Sequence, residues 1–235
     1  IWVDSKLDVK RAFLQKNADF YSAQAYKADF TSARTVKEIN SWVSKNTNGM
    51  IKKLADQFDP RTVMVLMNAL CLEAEWSDPY TDNCVREGTF TNAKGNLVKA
   101  NYMYSQELEY IETANATGFM KYYTGGDLAF VALLPNEGTS IDSYIASLTG
   151  NGFLSALNSR KNTQVNTQMP KFKCEYSNSL VGTLKKMGMG TAFDENKANF
   201  SSIADSSNGN IFIGEVIHKT YIEVAEKGTR AGAVT

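Results

Sequence analysis

Any hydrolase built on this sequence would have to take its general base from His218, the only histidine in 235 residues, which sits inside the alternating run Val216-Ile217-His218-Lys219-Thr220. A triad needs an imidazole that can turn between nucleophile and leaving group, and a ring held within a strand is badly placed for that. There is no H-E-x-x-H, no G-x-S-x-G, no G-x-x-x-x-G-K phosphate loop and no dinucleotide fingerprint after a strand. Glu73 and Glu75, two apart near a strand end, suit a solvated face better than general acid and base work. Cys71, Cys84 and Cys174 follow no metal-ligand spacing, and their odd number argues against a disulfide framework. The residues therefore point to no enzyme, no metal and no cofactor, and stability is expected from packing.

Twenty-five basic residues balance 25 acidic ones, and no run of Lys and Arg is long enough to track phosphates, which argues against a nucleic-acid partner. The longest apolar run, Val63 to Leu72, is interrupted by Asn68 and falls short of a membrane span. Asn115-Ala116-Thr117 and Asn199-Phe200-Ser201 fit the glycosylation sequon, a pattern short enough to arise by chance.

The segment with physical character is Glu226-Lys227-Gly228-Thr229-Arg230-Ala231-Gly232-Ala233-Val234-Thr235. As a strand, its period of two puts Thr229, Ala231, Ala233 and Thr235 on one face and Arg230, Gly232 and Val234 on the other. The first face is small and uncharged, so it can enter a packed interior without burying a charge, while Gly228 supplies backbone freedom. Composition alone leaves a second reading, a flexible Ala/Gly-rich terminus.

The elements that must position this segment are mixed. The opening Ile1 to Asp4 reads as the inside of a strand, so the chain is expected to begin within a domain. Apolar spacing predicts a helix over Val9 to Ala23, a short strand over Gln24 to Phe30, and a second helix over about Thr35 to Thr47, capped by Thr31 or Ser32 and stopped by Gly49. Thr62 to Leu72 reads as one strand covered on both faces. Ala93 to Asn96 is a turn between β-like runs, with further strands at Leu108 to Ile111, Phe119 to Tyr123 and Leu128 to Leu134. Two short helices are expected in Ile141 to Leu157, a strand in Gln164 to Glu175, a helix in Ser179 to Met187 and a strand in Glu215 to Ala225. With helices and strands interleaved and no clear linker, the fold class is α+β, and the length allows one large domain or two small ones.

In this setting the sequence resembles the serpins nearly end to end. Ile39-Asn40-Ser41-Trp42-Val43 through Gly49, Asn68 through Leu72 to Trp76, Pro170-Lys171-Phe172, Leu184 to Gly188, Ala192-Phe193, Asn199-Phe200-Ser201, and Val216 to Lys219 running into Glu226-Lys227-Gly228-Thr229 match family segments in order. Each match is weak alone; their shared order carries the resemblance. It implies a multi-sheet fold, a large central sheet flanked by helices, metastable, with an exposed reactive loop that a protease cleaves. The loop then inserts as an added strand before the acyl-enzyme hydrolyses, and the protease is trapped.

Carried over position by position, Glu226 to Thr235 is the hinge of that loop. Asn68 and His218 correspond to the shutter, where an amide and an imidazole can satisfy each other. Trp76, Lys171 and Glu226 correspond to the breach, with Lys171 and Glu226 as an ion pair, while Trp42 reads as packing. Lys227 and Arg230 depart from the acids many inhibitory members carry, and Gly232 from an alanine; all but the inward face is expected to tolerate this. The resemblance further implies that 1–235 is part of a single domain, with family portions before residue 1 and after residue 235, a serine or cysteine protease as partner, a monomer, and an extracellular setting. A non-inhibitory carrier or chaperone of the same family, and an unrelated enzyme, are the competing readings.

Overall fold

The computed structural model describes residues 1–206 and 209–235. In chain order its elements are β1 (Trp2–Asp4), β2 (Asp8–Val9), α1 (Arg11–Tyr21), β3 (Tyr26–Ala28), α2 (Ala33–Asn46), β4 (Met64–Val65), β5 (Ala69–Glu75), β6 (Val85–Thr91), β7 (Leu97–Glu112), β8 (Ala116–Tyr122) and β9 (Ala129–Pro135). There follow α3 (Ile141–Ser147), α4 (Gly150–Asn158), β10 (Lys161–Pro170), β11 (Phe172–Ser179), α5 (Val181–Leu184), β12 (Ala204–Asp205), β13 (Ile217–Ala225) and β14 (Gly228–Val234). The expected α+β interleaving is what forms. Contacts group the chain into two compact units: Ile1–Leu72, Cys174–Ile222 and Ala231–Thr235 in the first, Glu73–Lys173 and Glu223–Arg230 in the second.

The first unit is organised by α2. The side-chain oxygen of Ser32 accepts from the Arg34 amide, satisfying one of the orphan donors at the helix start. Thr35, Ile39 and Val43, four apart, make its buried stripe. Asn48 and Gly49 turn the chain out through positive φ, where glycine carries no steric cost. Ile39 and Val43 join Trp2, Phe30, Met50, Tyr221 and Val234 in one core cluster, and Trp42 packs edge-on to Trp2. β1 pairs in parallel with β3 and antiparallel with β4, and β2 pairs with β12. Helix α1 buries no residue.

The second unit is built on β7, 16 residues long, which pairs antiparallel with β6, β8 and β10, while β9 continues the sheet beyond β8. The β6–β7 turn closes as expected, with Asn92 Oδ1 accepting from the amides of Lys94 and Asn96. A four-stranded sheet ordered β11-β13-β14-β5 completes the topology.

Three expectations are corrected. Thr62 to Leu72 is two strands, because β4 serves β1 while β5 belongs to the four-stranded sheet. Nor is it covered on both faces: Leu70 is 69% exposed. Gln164 to Glu175 breaks at Lys171, just after Pro170, which has no amide hydrogen to give a ladder. The helix in Ser179 to Met187 is α-helical only over Val181–Leu184, and beyond it Gly188 leaves helical geometry at φ +102°.

Candidate functional site: an inserted strand and its anchors

Of the ten residues that composition left between a loose end and a strand, Gly228–Val234 form the strand β14. Glu226 and Lys227 make the tight turn after β13, and β14 runs back between β13 and β5. The resemblance implied an exposed loop; in this structure the segment assigned to the hinge lies within the sheet.

In the second unit Trp76, only 1% exposed, grips the turn twice. Its backbone amide donates to the Lys227 carbonyl at 2.9 Å, and its indole Nε1 donates to the Ala225 carbonyl at 2.9 Å. The Tyr80 amide donates to the Glu226 carbonyl at 3.0 Å. Lys171 Nζ reaches Glu226 Oε1 at 2.5 Å, and that bond holds the Glu226 carboxyl below its ordinary pKa. The three residues assigned to the breach therefore converge on one turn.

Beside them stand residues that the sequence did not single out. The Tyr123 ring lies parallel to Trp76 with centroids 4.6 Å apart, and its hydroxyl donates to Thr229 Oγ1 at 2.7 Å. Burial raises the Tyr123 pKa, so the phenol stays a proton donor. Lys121, with a side chain 3% exposed, pairs with Glu107 at 2.7 Å and lies over the rings of Tyr80 and Trp76. Ser105 Oγ bonds Glu107 at 2.6 Å and shares a hydrogen bond with Thr167 Oγ1 at 2.8 Å. Period two placed Lys121 in a strand among apolar neighbours, but a partner 14 residues away is visible only once β7 and β8 pair.

Gly228 is needed for a reason other than flexibility. Its φ is not positive, but a Cβ there would lie 2.0 Å from the Ala74 carbonyl oxygen of β5. The next outward residue, Arg230, places Nε 2.9 Å from Glu73 and Nη1 3.7 Å from Glu223.

In the first unit Asn68 and Thr235 exchange both backbone hydrogen bonds at 3.0 Å, the signature of an antiparallel pair. His218 Nδ1 shares a hydrogen bond with Thr235 Oγ1 at 2.7 Å. Asn68 and His218, assigned to the shutter by resemblance, each bond Thr235 and not each other, unlike the direct pairing that their side-chain types suggested. The strand lies between β5 and β13, and Thr235 takes a bond from each side.

The face assignment is corrected as well. Thr229 is buried at 3% exposure, but Ala231 and Ala233 are half-buried and Thr235 is exposed. On the face expected to point outward, Gly232 is buried and Val234 is 1% exposed. The cause is the segment after α2: Thr47 and Met50 approach the Cβ position of Gly232 at 3.6 and 3.5 Å, and Val234 joins the α2 core cluster. Alternation was right, but which face meets a neighbour depended on where α2 lies.

The arrangement has the means to hold a strand. Comparisons agree with its form. The family model described as "Serpin (serine protease inhibitor)" matches residues 1–235. Serpin B10 of Bos taurus is 33% identical across 100% of this chain and 61% of its own length. A serpin-like protein of Thermococcus kodakarensis is 32% identical across 100% of this chain and 54% of its own. The chain thus spans between half and two thirds of these relatives. Among solved structures, the thermophilic serpin tengpin in the latent state superposes with a TM-score of 0.94 at 44% identity, over 99% of this chain and 64% of that one. The same protein in the native state gives 0.88 at 40% identity, over 97% and 59%. With a family match over the whole chain and relatives in mammals and archaea, this chain belongs to the serpin family.

Proposed function

We propose that the protein inhibits serine proteases, or cysteine proteases, as a suicide substrate. Its loop is cut, an acyl-enzyme forms, and Glu226 to Thr235 enters the sheet as β14 before that ester hydrolyses. The two compact units are read as parts of one domain that acts as a monomer and meets its protease outside the cell. The protein supplies no catalytic group; the bond-breaking chemistry is the protease's own.

The observation that carries this reading is the docked hinge. A strand of the chain's own seated in the sheet, with a hydroxyl pair at Thr229 and reciprocal backbone bonds at Thr235, supports the reading, because trapping requires an end state of that kind. The trap also needs a second state, with the hinge outside the sheet. Lys227 and Arg230, basic where the resemblance implies that many inhibitory members carry acids, are the observation on the side of a non-inhibitory carrier or chaperone.

Incubation with a panel of serine and cysteine proteases separates the two. Trapping gives a covalent complex that survives denaturing electrophoresis, with protease activity lost in proportion. Cleaved protein beside fully active protease across the panel overturns the inhibitor reading.

A further inference from the structure

We propose that Arg230 is a positioning residue for strand docking: it fills a seat between Glu73 on β5 and Glu223 on β13 that is complete only when β14 lies between them, which makes insertion in this protein salt-dependent. The inference deepens the trapping reading and rests on it.

The geometry is two-sided. Arg230 Nε meets Glu73 Oε1 at 2.9 Å, and a different nitrogen, Nη1, meets Glu223 Oε2 at 3.7 Å. One guanidinium fork thus spans carboxylates on both flanking strands, which a lysine's single ammonium does not reproduce. The three side chains are 47%, 44% and 36% exposed, so none is held there by the core. Strands flanking an inserted one are separated by about twice the ~4.8 Å spacing of neighbours. When the hinge is out, Arg230 leaves both carboxylates, and the bridge across the two flanking strands is lost. The bridge therefore favours the filled sheet. Each pair alone is weak at this exposure, but the two act in one direction on one step.

The basic residue at 230, one of two positions where the resemblance implies an acid, is on this reading adapted to its own sheet. An acid at 230 would put three carboxylates side by side.

The test uses the intact chain, R230Q, R230E and the swapped pair E73K/R230E. Hydrogen exchange of the Glu226 to Thr235 amides reads docking directly, at about 0.01 M and about 1 M salt. Protease complexes are scored in parallel. The expected result is hinge protection lowered roughly threefold in R230Q and roughly tenfold in R230E at low salt, with the loss shrinking at high salt and the swap restoring most of it. Unchanged protection in both R230Q and R230E overturns the proposal, as does a folded swap that restores nothing. If exchange follows charge as expected but no protease is ever trapped, the inhibitor reading fails and the seat stands. If complexes form in equal yield from every variant with unaltered exchange, the seat fails and the inhibitor reading stands.

Discussion

Tyr123 donates its hydroxyl hydrogen to Thr229 Oγ1 at 2.7 Å, so the first inward residue of the hinge is received by a phenol already stacked on Trp76. The bond requires Gly228–Val234 to be a strand of the sheet, which ties a hinge side chain to the docked state. Tyr123→Phe is expected to leave the Thr229 hydroxyl buried without its partner and to lower stability by about 1 kcal/mol. Chemical denaturation of the variant beside wild type checks this.

Thr229→Arg is expected to act at the same place with a larger effect. A site 3% exposed has no room for a guanidinium, so on the proposed trapping mechanism docking slows and the acyl-enzyme hydrolyses before insertion. The ratio of inhibitor consumed to protease trapped rises; an unchanged ratio counts against Thr229 as an inward anchor.

The two glycines of β14 are expected to respond in opposite ways. In Gly228→Ala the new methyl would sit 2.0 Å from the Ala74 carbonyl oxygen, so the strand or its neighbour must shift and stability falls. In Gly232→Ala the nearest atoms, on Met50 and Thr47, lie at 3.5 and 3.6 Å, an ordinary contact. The alanine also restricts the unfolded chain and is expected to be neutral or to stabilise by up to about 1 kcal/mol. Thermal melts of the two variants settle the contrast.

Glu226 makes the hinge turn sensitive to acid. Its folded pKa is lowered by the hydrogen bond from Lys171, so its stabilising contribution is fully present above the unfolded carboxylate pKa and is lost as pH falls through the folded value. For a pair with side chains 34% and 29% exposed, that contribution is about 1 kcal/mol or less. The melting difference between wild type and Glu226→Gln should be largest near neutrality and close as pH falls below the ordinary carboxylate range. A difference that persists unchanged at low pH contradicts the ionic origin.

Lys121 and Glu107 predict a stability effect without a sequence motif to announce it. Lys121→Ala strands a carboxylate only 12% exposed and is expected to cost about 3 kcal/mol. Replacing both, as Lys121→Met with Glu107→Leu, removes the stranded charge and should recover most of the loss. Equal losses in the single and double variants would show that packing, and not the charge, sets the cost.

Local rules settled much of this protein. The Thr35-Ile39-Val43 stripe, its Ser32 cap and the Gly49 stop follow from helix geometry, which acts over a few residues. The alternation in Glu226 to Thr235 marked a segment able to become a strand, and the ordered motifs marked the family. What the sequence could not determine was long-range. It did not say which face of β14 would be covered, because that depended on where Thr47 and Met50 came to rest. It did not show that Tyr123 would meet Thr229, 106 residues on, nor that Glu73 and Glu223 would flank Arg230. Period two tells a strand which residues share a face, whereas its neighbours on either side are chosen by sheet order, and sheet order exists only in the folded chain.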